Sequence, residues 1–96
     1  MKIILRPHIK LRLKERKIPQ SYPKKIISQS ESRYYDVLSN HRIAIKEFKY
    51  FGKVRPMAAV YDIIADEVQS VTVYAISYQE INNRLKSGRW IKYEGT

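Results

Sequence analysis

The sequence predicts an α+β fold: an antiparallel four- to five-stranded sheet, two N-terminal helices packed on one face, and a short C-terminal helix. Three observations carry this. Apolar residues in the first third recur at helical spacing, as Ile9 and Leu13 do. From Arg33 onward the apolar period changes to two. The connections between the later strands are too short for crossovers, so those strands form an antiparallel meander. The whole chain, residues 1–96, is read as a single domain.

The elements follow in order. Lys2 to Leu5 reads as a short buried strand. Pro7 opens a helix, because the first helical N–H has no partner to lose. That helix runs to about Lys17, with Ile9 and Leu13 inward, and Ile18-Pro19 ends it. A second helix covers Gln20 to Ser28, with Tyr22, Ile26 and Ile27 facing the core. Tyr35 to Leu38 is a strand candidate. Arg42 to Phe51 alternates, with Ile43 and Ile45 on one face and Lys46, Phe48 and Tyr50 on the other. Gly52-Lys53 turns the chain. Met57 to Ile64 and Ser70 to Ile76 are apolar on both faces and therefore central, joined by a turn at Asp66-Glu67. Ser77 and Glu80 have capping-box spacing, and the helix they open carries Ile81 and Leu85 and stops at Gly88. Trp90 to Tyr93 is a short tail that can pair as a further strand.

Charge supplies the functional clue. The chain carries a net +10, and nine Lys or Arg residues against one acid, Glu15, fall between Met1 and Lys25. Such a balance calls for a polyanion or an acidic partner. There is no cysteine and there are only two histidines, so neither a disulfide framework nor a structural metal site is expected. No apolar run approaches the roughly 20 residues that span a bilayer. Lys2 to Leu5 is too short for a signal core, so no membrane partner and a cytoplasmic location are expected.

The element order and several short motifs resemble the RelE/ParE superfamily of small bacterial toxins. The similarity is greatest to an uncharacterised branch that opens with a helical His-x3-Arg-x3-Arg-x-Ile element, here His8, Arg12, Arg16 and Ile18. A Thr-Val-Tyr core in the last central strand, Thr72-Val73-Tyr74, and the ending Asn83-Arg84-Leu85-Lys86-Ser87-Gly88-Arg89-Trp90 match it as well. The resemblance implies the toxin of a type II toxin–antitoxin pair and a metal-independent mRNA endoribonuclease without cofactor. Its partners would be an acidic antitoxin and RNA, on or off the ribosome. Two alternatives share the fold: a non-catalytic nucleic-acid or protein-binding module, and a ParE-like gyrase inhibitor.

Metal-free RNA cleavage needs a base for the 2′-hydroxyl, a cation on the phosphate and an acid for the leaving 5′-oxygen. RelE-like enzymes use Lys, Arg and Tyr for this, which points here to Lys46, Arg55, Tyr74, Arg84, Arg89 and Tyr93. His8 adds an imidazole suited to proton transfer. Arg12, Arg16, Lys49, Trp90 and Lys92 are the candidate nucleic-acid contacts. Each has a structural reading beside it. Arg12 and Arg16 can pair with carboxylates, Trp90 can close the core, and Lys46 can be a solvated cation. Arg89, next to Trp90, is expected to point outward. His41 lies at the start of a strand beside Asn40; the turn-like Asn-His pair puts it at an exposed loop, with a base at the sheet edge as the lesser alternative.

Overall fold

The computed structural model describes residues 2–93. It has β1 (Lys2–Ile4), α1 (Pro7–Glu15), α2 (Ser21–Ser28), β2 (Ser32–Asp36), β3 (His41–Tyr50), β4 (Lys53–Ile64), β5 (Glu67–Ala75), α3 (Tyr78–Lys86) and β6 (Trp90–Lys92). The six strands form one sheet in the order β1-β5-β4-β3-β2-β6. The expected antiparallel meander is β2 to β5. Two additions make the sheet larger and mixed. β1 lies parallel to β5, from Lys2 opposite Glu67 to Ile4 opposite Gln69. β6 pairs antiparallel with β2, with Trp90 opposite Asp36.

Local chemistry explains the element ends. α1 starts at Pro7 and closes in a Schellman motif, in which Ile18 N–H reaches the Leu13 carbonyl at 2.9 Å and Lys17 N–H reaches Lys14 at 3.1 Å. Lys17 takes the left-handed position, φ 58°, that glycine usually fills. The β3–β4 turn places Phe51 and Gly52 at positive φ, and the β4–β5 turn does the same with Ala65 and Asp66. Two consecutive positive φ values are the type I′ geometry of a two-residue hairpin. At α3 the capping box forms as expected, Ser77 Oγ accepting from Glu80 N–H and Glu80 Oε1 from Ser77 N–H.

The strand expected at Tyr35 to Leu38 instead ends at Asp36. The Asp36 carboxylate accepts the backbone N–H groups of Leu38 and Ser39, at 3.0 and 3.2 Å, which folds the chain into a turn and leaves Val37 and Leu38 exposed.

Each face of the sheet has its own core. α1 and α2 cover one face, where Ile9, Leu13, Ile26 and Ile27 pack on Ala44, Met57, Ala59, Tyr61, Val68 and Val73. On the other, Ile81 of α3 packs with Ile43, Ile45, Ala58, Val60, Ile76 and Trp90. Val68 and Val73 are an odd number of residues apart yet share a face. The register explains this: Val60 pairs with Thr72 but Tyr61 with Ser70, so Val71 is an extra residue that reverses the alternation. β1 covers β5 only as far as Gln69. Beyond it, Arg16 donates to the Val73 carbonyl at 2.8 Å and to Thr72 Oγ1 at 3.2 Å, satisfying part of an otherwise open strand edge.

Candidate functional site

The α3 face carries a polar row that crosses the sheet. Asp36 of β2 pairs with Trp90 of β6 on one side and His41 of β3 on the other. Asp62 of β4 pairs with Gln69 of β5. His41 and Asp62 join the two halves, because His41 Nδ1 lies 2.7 Å from Asp62 Oδ1. The row from Asp36 to Gln69 makes three inter-strand steps, or about 14 Å. Arg89 holds one end through Asp36, and Arg6 donates to Gln69 Oε1 at the other.

The centre of the row is accessible. The His41 and Asp62 side chains retain 32% and 28% of their exposure, enough for a ligand to reach the imidazole. They line a cavity of about 240 Å³ with Arg6, His8, Ile64, Gln69, Ser70 and Val71. His8 projects there from the first turn of α1, which Pro7 sets just after β1. Two imidazoles, a carboxylate and a guanidinium therefore meet in one depression. The Asp62 bond takes the Nδ1 side of His41 and orients the ring, leaving Nε2 for a reacting group.

At the Arg89 end the row is structural. Asp36 is buried, and Arg89 Nη2 pairs with its Oδ2 at 3.1 Å while Nε bonds both oxygens. Burial alone would raise this carboxyl. The bonds from Arg89, Ser39 and Leu38 outweigh it and bring the pKa to about 2. Arg89, expected to point outward, instead folds back onto this carboxylate. Trp90 is 2% exposed and is stacked on Tyr34, with ring centroids 5.5 Å apart. The Arg84 guanidinium sits 5.0 Å from the indole centroid. The indole is therefore buried and already in contact with an aromatic ring and a guanidinium, and the base-stacking role considered for Trp90 gives way to core packing. Tyr74 is half-buried on the same face, and burial pushes its phenol up, with the charges of Arg84 and Arg89 opposing.

The remaining candidates do not converge on this site. Lys46 pairs with Met57, and Arg55 with Phe48, so both belong to the α1–α2 face. Lys46 is half-buried with its ammonium 5.7 Å from the Phe48 ring centroid, and Arg55 Nε is spent on the Tyr50 carbonyl at 2.9 Å. Phe48 stacks on Tyr22 of α2, as core beneath a helix. Tyr93 lies on that same side under Arg42, 5.4 Å from ring centroid to guanidinium, so the sheet separates it from Arg84 and Arg89. Arg12, Lys49 and Lys92 are exposed cations. Arg16 anchors the β5 edge through a carbonyl, where a carboxylate partner was expected. His41 starts a strand as expected, but it is half-buried in the ladder rather than exposed at a loop, and β3 is an interior strand rather than a sheet edge.

Sequence reasoning missed Arg6, Asp36, Asp62 and Gln69. One signal was legible: Asp62 is a lone carboxylate in an otherwise apolar strand, Met57 to Ile64. Its contact with His41 depends on the β3–β4 register, which the turn at Phe51-Gly52 sets. Compared with known protein families, curated proteins and solved structures, the chain matches none of them.

Proposed function

We propose that this chain is the toxin of a type II toxin–antitoxin pair, an endoribonuclease that cuts RNA by proton transfer without a metal. One observation carries the reading: the His41–Asp62 pair at 2.7 Å shares a single cavity with His8 and Arg6. The net charge of +10 supports a polyanionic substrate. In this mechanism His41 Nε2 takes the proton from a ribose 2′-hydroxyl, while Asp62 holds the ring and stabilises the imidazolium. The 2′-oxygen attacks phosphorus, and Arg6 offsets the charge growing on the phosphate oxygens. The P–O5′ bond breaks as His8 supplies its proton to the leaving oxygen. The products are a 2′,3′-cyclic phosphate and a free 5′-hydroxyl. Arg12, Lys49 and Lys92 serve as outlying phosphate contacts.

The partner in this reading is an acidic antitoxin. Val54 and Tyr78, 67% and 56% exposed, line a groove with Lys53, Arg55 and Pro56. Exposed apolar side chains beside Lys53 and Arg55, with the Glu80 carboxylate also in the lining, suit a segment with apolar anchors and acids placed toward the two cations.

The test is cleavage of a labelled RNA in chelator, with and without ribosomes. Cyclic-phosphate ends are expected, with His41→Ala and His8→Ala each slowing the reaction about 10²–10⁴-fold. An unchanged rate in His41→Ala would place the chemistry elsewhere. Complete absence of cleavage, with gyrase inhibited instead, would favour the ParE-like alternative.

A further inference from the structure

We propose that the outer surface of the α1–α2 pair holds the phosphate backbone of an RNA duplex, separately from the cutting cavity. Lys10, Lys14, Lys17, Lys24 and Lys25 fall within a short stretch there, and all five are exposed. None of them lines the His41 cavity. Among the described residues, none of the five side chains has an ion pair. Glu15, the acid among them, is exposed and pairs with none of the five. This sets the lysines apart from the arginines. Arg6, Arg16, Arg55 and Arg89 are spent on Gln69, the Val73 carbonyl, the Tyr50 carbonyl and Asp36.

The fold presents these lysines together. α1 and α2 bury Ile9, Leu13, Ile26 and Ile27 against one sheet face, so the exposed positions of both helices look outward. Lys10 and Lys14 are about one turn apart, roughly 6 Å along the axis. Lys17 stands at the junction, in the turn closed by the Ile18 N–H. The occupant follows from the chemistry. Ammonium groups are compact charges with three donors, which suit phosphate oxygens without demanding one geometry. Leu11 is the large apolar side chain that these helices expose. The Tyr22 ring is stacked on Phe48, and its hydroxyl donates to the Lys49 carbonyl. The surface therefore has cations for phosphates, but neither a platform for unpaired bases nor the anchors an acidic protein segment needs. A duplex fits, with its bases stacked inside and its phosphates dense outside. The minor groove of A-form RNA is wide and shallow, so helices lying flat on a sheet can meet both strands. The choice of RNA over DNA rests on the RNA-cleaving reading; the lysine surface does not.

The experiment titrates the full chain against a labelled, 2′-O-methylated RNA duplex of about 16 base pairs, which cannot be cut, followed by anisotropy. The single strand, the DNA duplex and polyglutamate are titrated beside it. The RNA duplex is expected to bind most tightly, with a slope of log affinity against log salt of about −4, for four to five phosphates. Lys14→Gln with Lys25→Gln should make that slope shallower by about 2. Lys53→Gln with Lys86→Gln removes the same charge elsewhere and should leave it unchanged. All four positions are exposed, so both variants keep the fold. Equal or tighter binding of the single strand, the DNA duplex or polyglutamate would overturn the proposal. So would the same slope change in both variants, or none in the first. Cleavage by the parent chain is scored separately on unmodified RNA. Duplex binding without cleavage upholds the lysine surface and removes the nuclease reading, and cleavage without duplex binding does the reverse.

Discussion

Replacing Arg89 with alanine removes the cation that neutralises a buried carboxylate. Asp36 is 5% exposed and has its pKa depressed from 3.8 to about 2. At about 1.4 kcal/mol per pH unit, that depression contributes about 2 kcal/mol to folding. Losing one partner of a fully buried pair costs about 3–5 kcal/mol. The Arg89 side chain keeps 42% of its exposure, so water screens the pair and the expected loss is nearer 2 kcal/mol. In a domain of this size that lowers Tm by roughly 8–16 °C. The sign with pH follows from the depression. Stability from Asp36 is complete above its unfolded pKa of 3.8 and is lost as pH falls through about 2. Arg89→Ala should therefore be destabilised at neutral pH and show a shallower acid decline, because burial then raises the carboxyl without the guanidinium opposing it. Urea melts at neutral pH and near pH 2 test both parts. A variant as stable as the parent at neutral pH, with the same acid slope, would refute the reasoning.

Trp90→Ala empties the centre of the α3-face core and should cost about 3–5 kcal/mol, read as a large drop in urea midpoint or as loss of folded protein. Arg16→Ala, which strips the Val73 carbonyl of its donor, should cost about 1–2 kcal/mol, whereas Arg12→Ala should stay within about 0.5 kcal/mol, in paired thermal melts. Lys17→Gly should stabilise by about 0.5–1 kcal/mol, because glycine occupies the left-handed position of the Schellman motif without strain. Nonspecific RNA affinity should fall at least about tenfold between about 50 and 200 mM salt, and a flat profile would sink the polyanion reading.

Much of the fold was legible from local chemistry. Pro7, the Ser77–Glu80 spacing and Gly88 mark helix ends because capping depends on neighbours a few residues away. Ile9 with Leu13, and Ile43 with Ile45, disclose their faces because helix and strand periods are properties of the backbone. The meander followed from connection length. What proximity in sequence cannot reveal is which distant edges meet. β1 beside β5 and β6 beside β2 are long-range pairings of three residues each, too short to carry a pattern of their own.

The candidate site divides in the same way. Composition alone established a cationic chain with few imidazoles, and the alternation of β3 already put Lys46 opposite Ile43 and Ile45. Which of the cations are spent internally was decided by packing: Arg89 closes on Asp36, Arg16 on the edge of β5, and Arg55 on the Tyr50 carbonyl. The cavity that gathers His8, His41 and Asp62 draws on a helix start, a strand start and the middle of another strand. No periodicity links such positions. Their meeting depends on hairpin register and on where α1 leaves β1, and those are settled only when the sheet and its two cores form together.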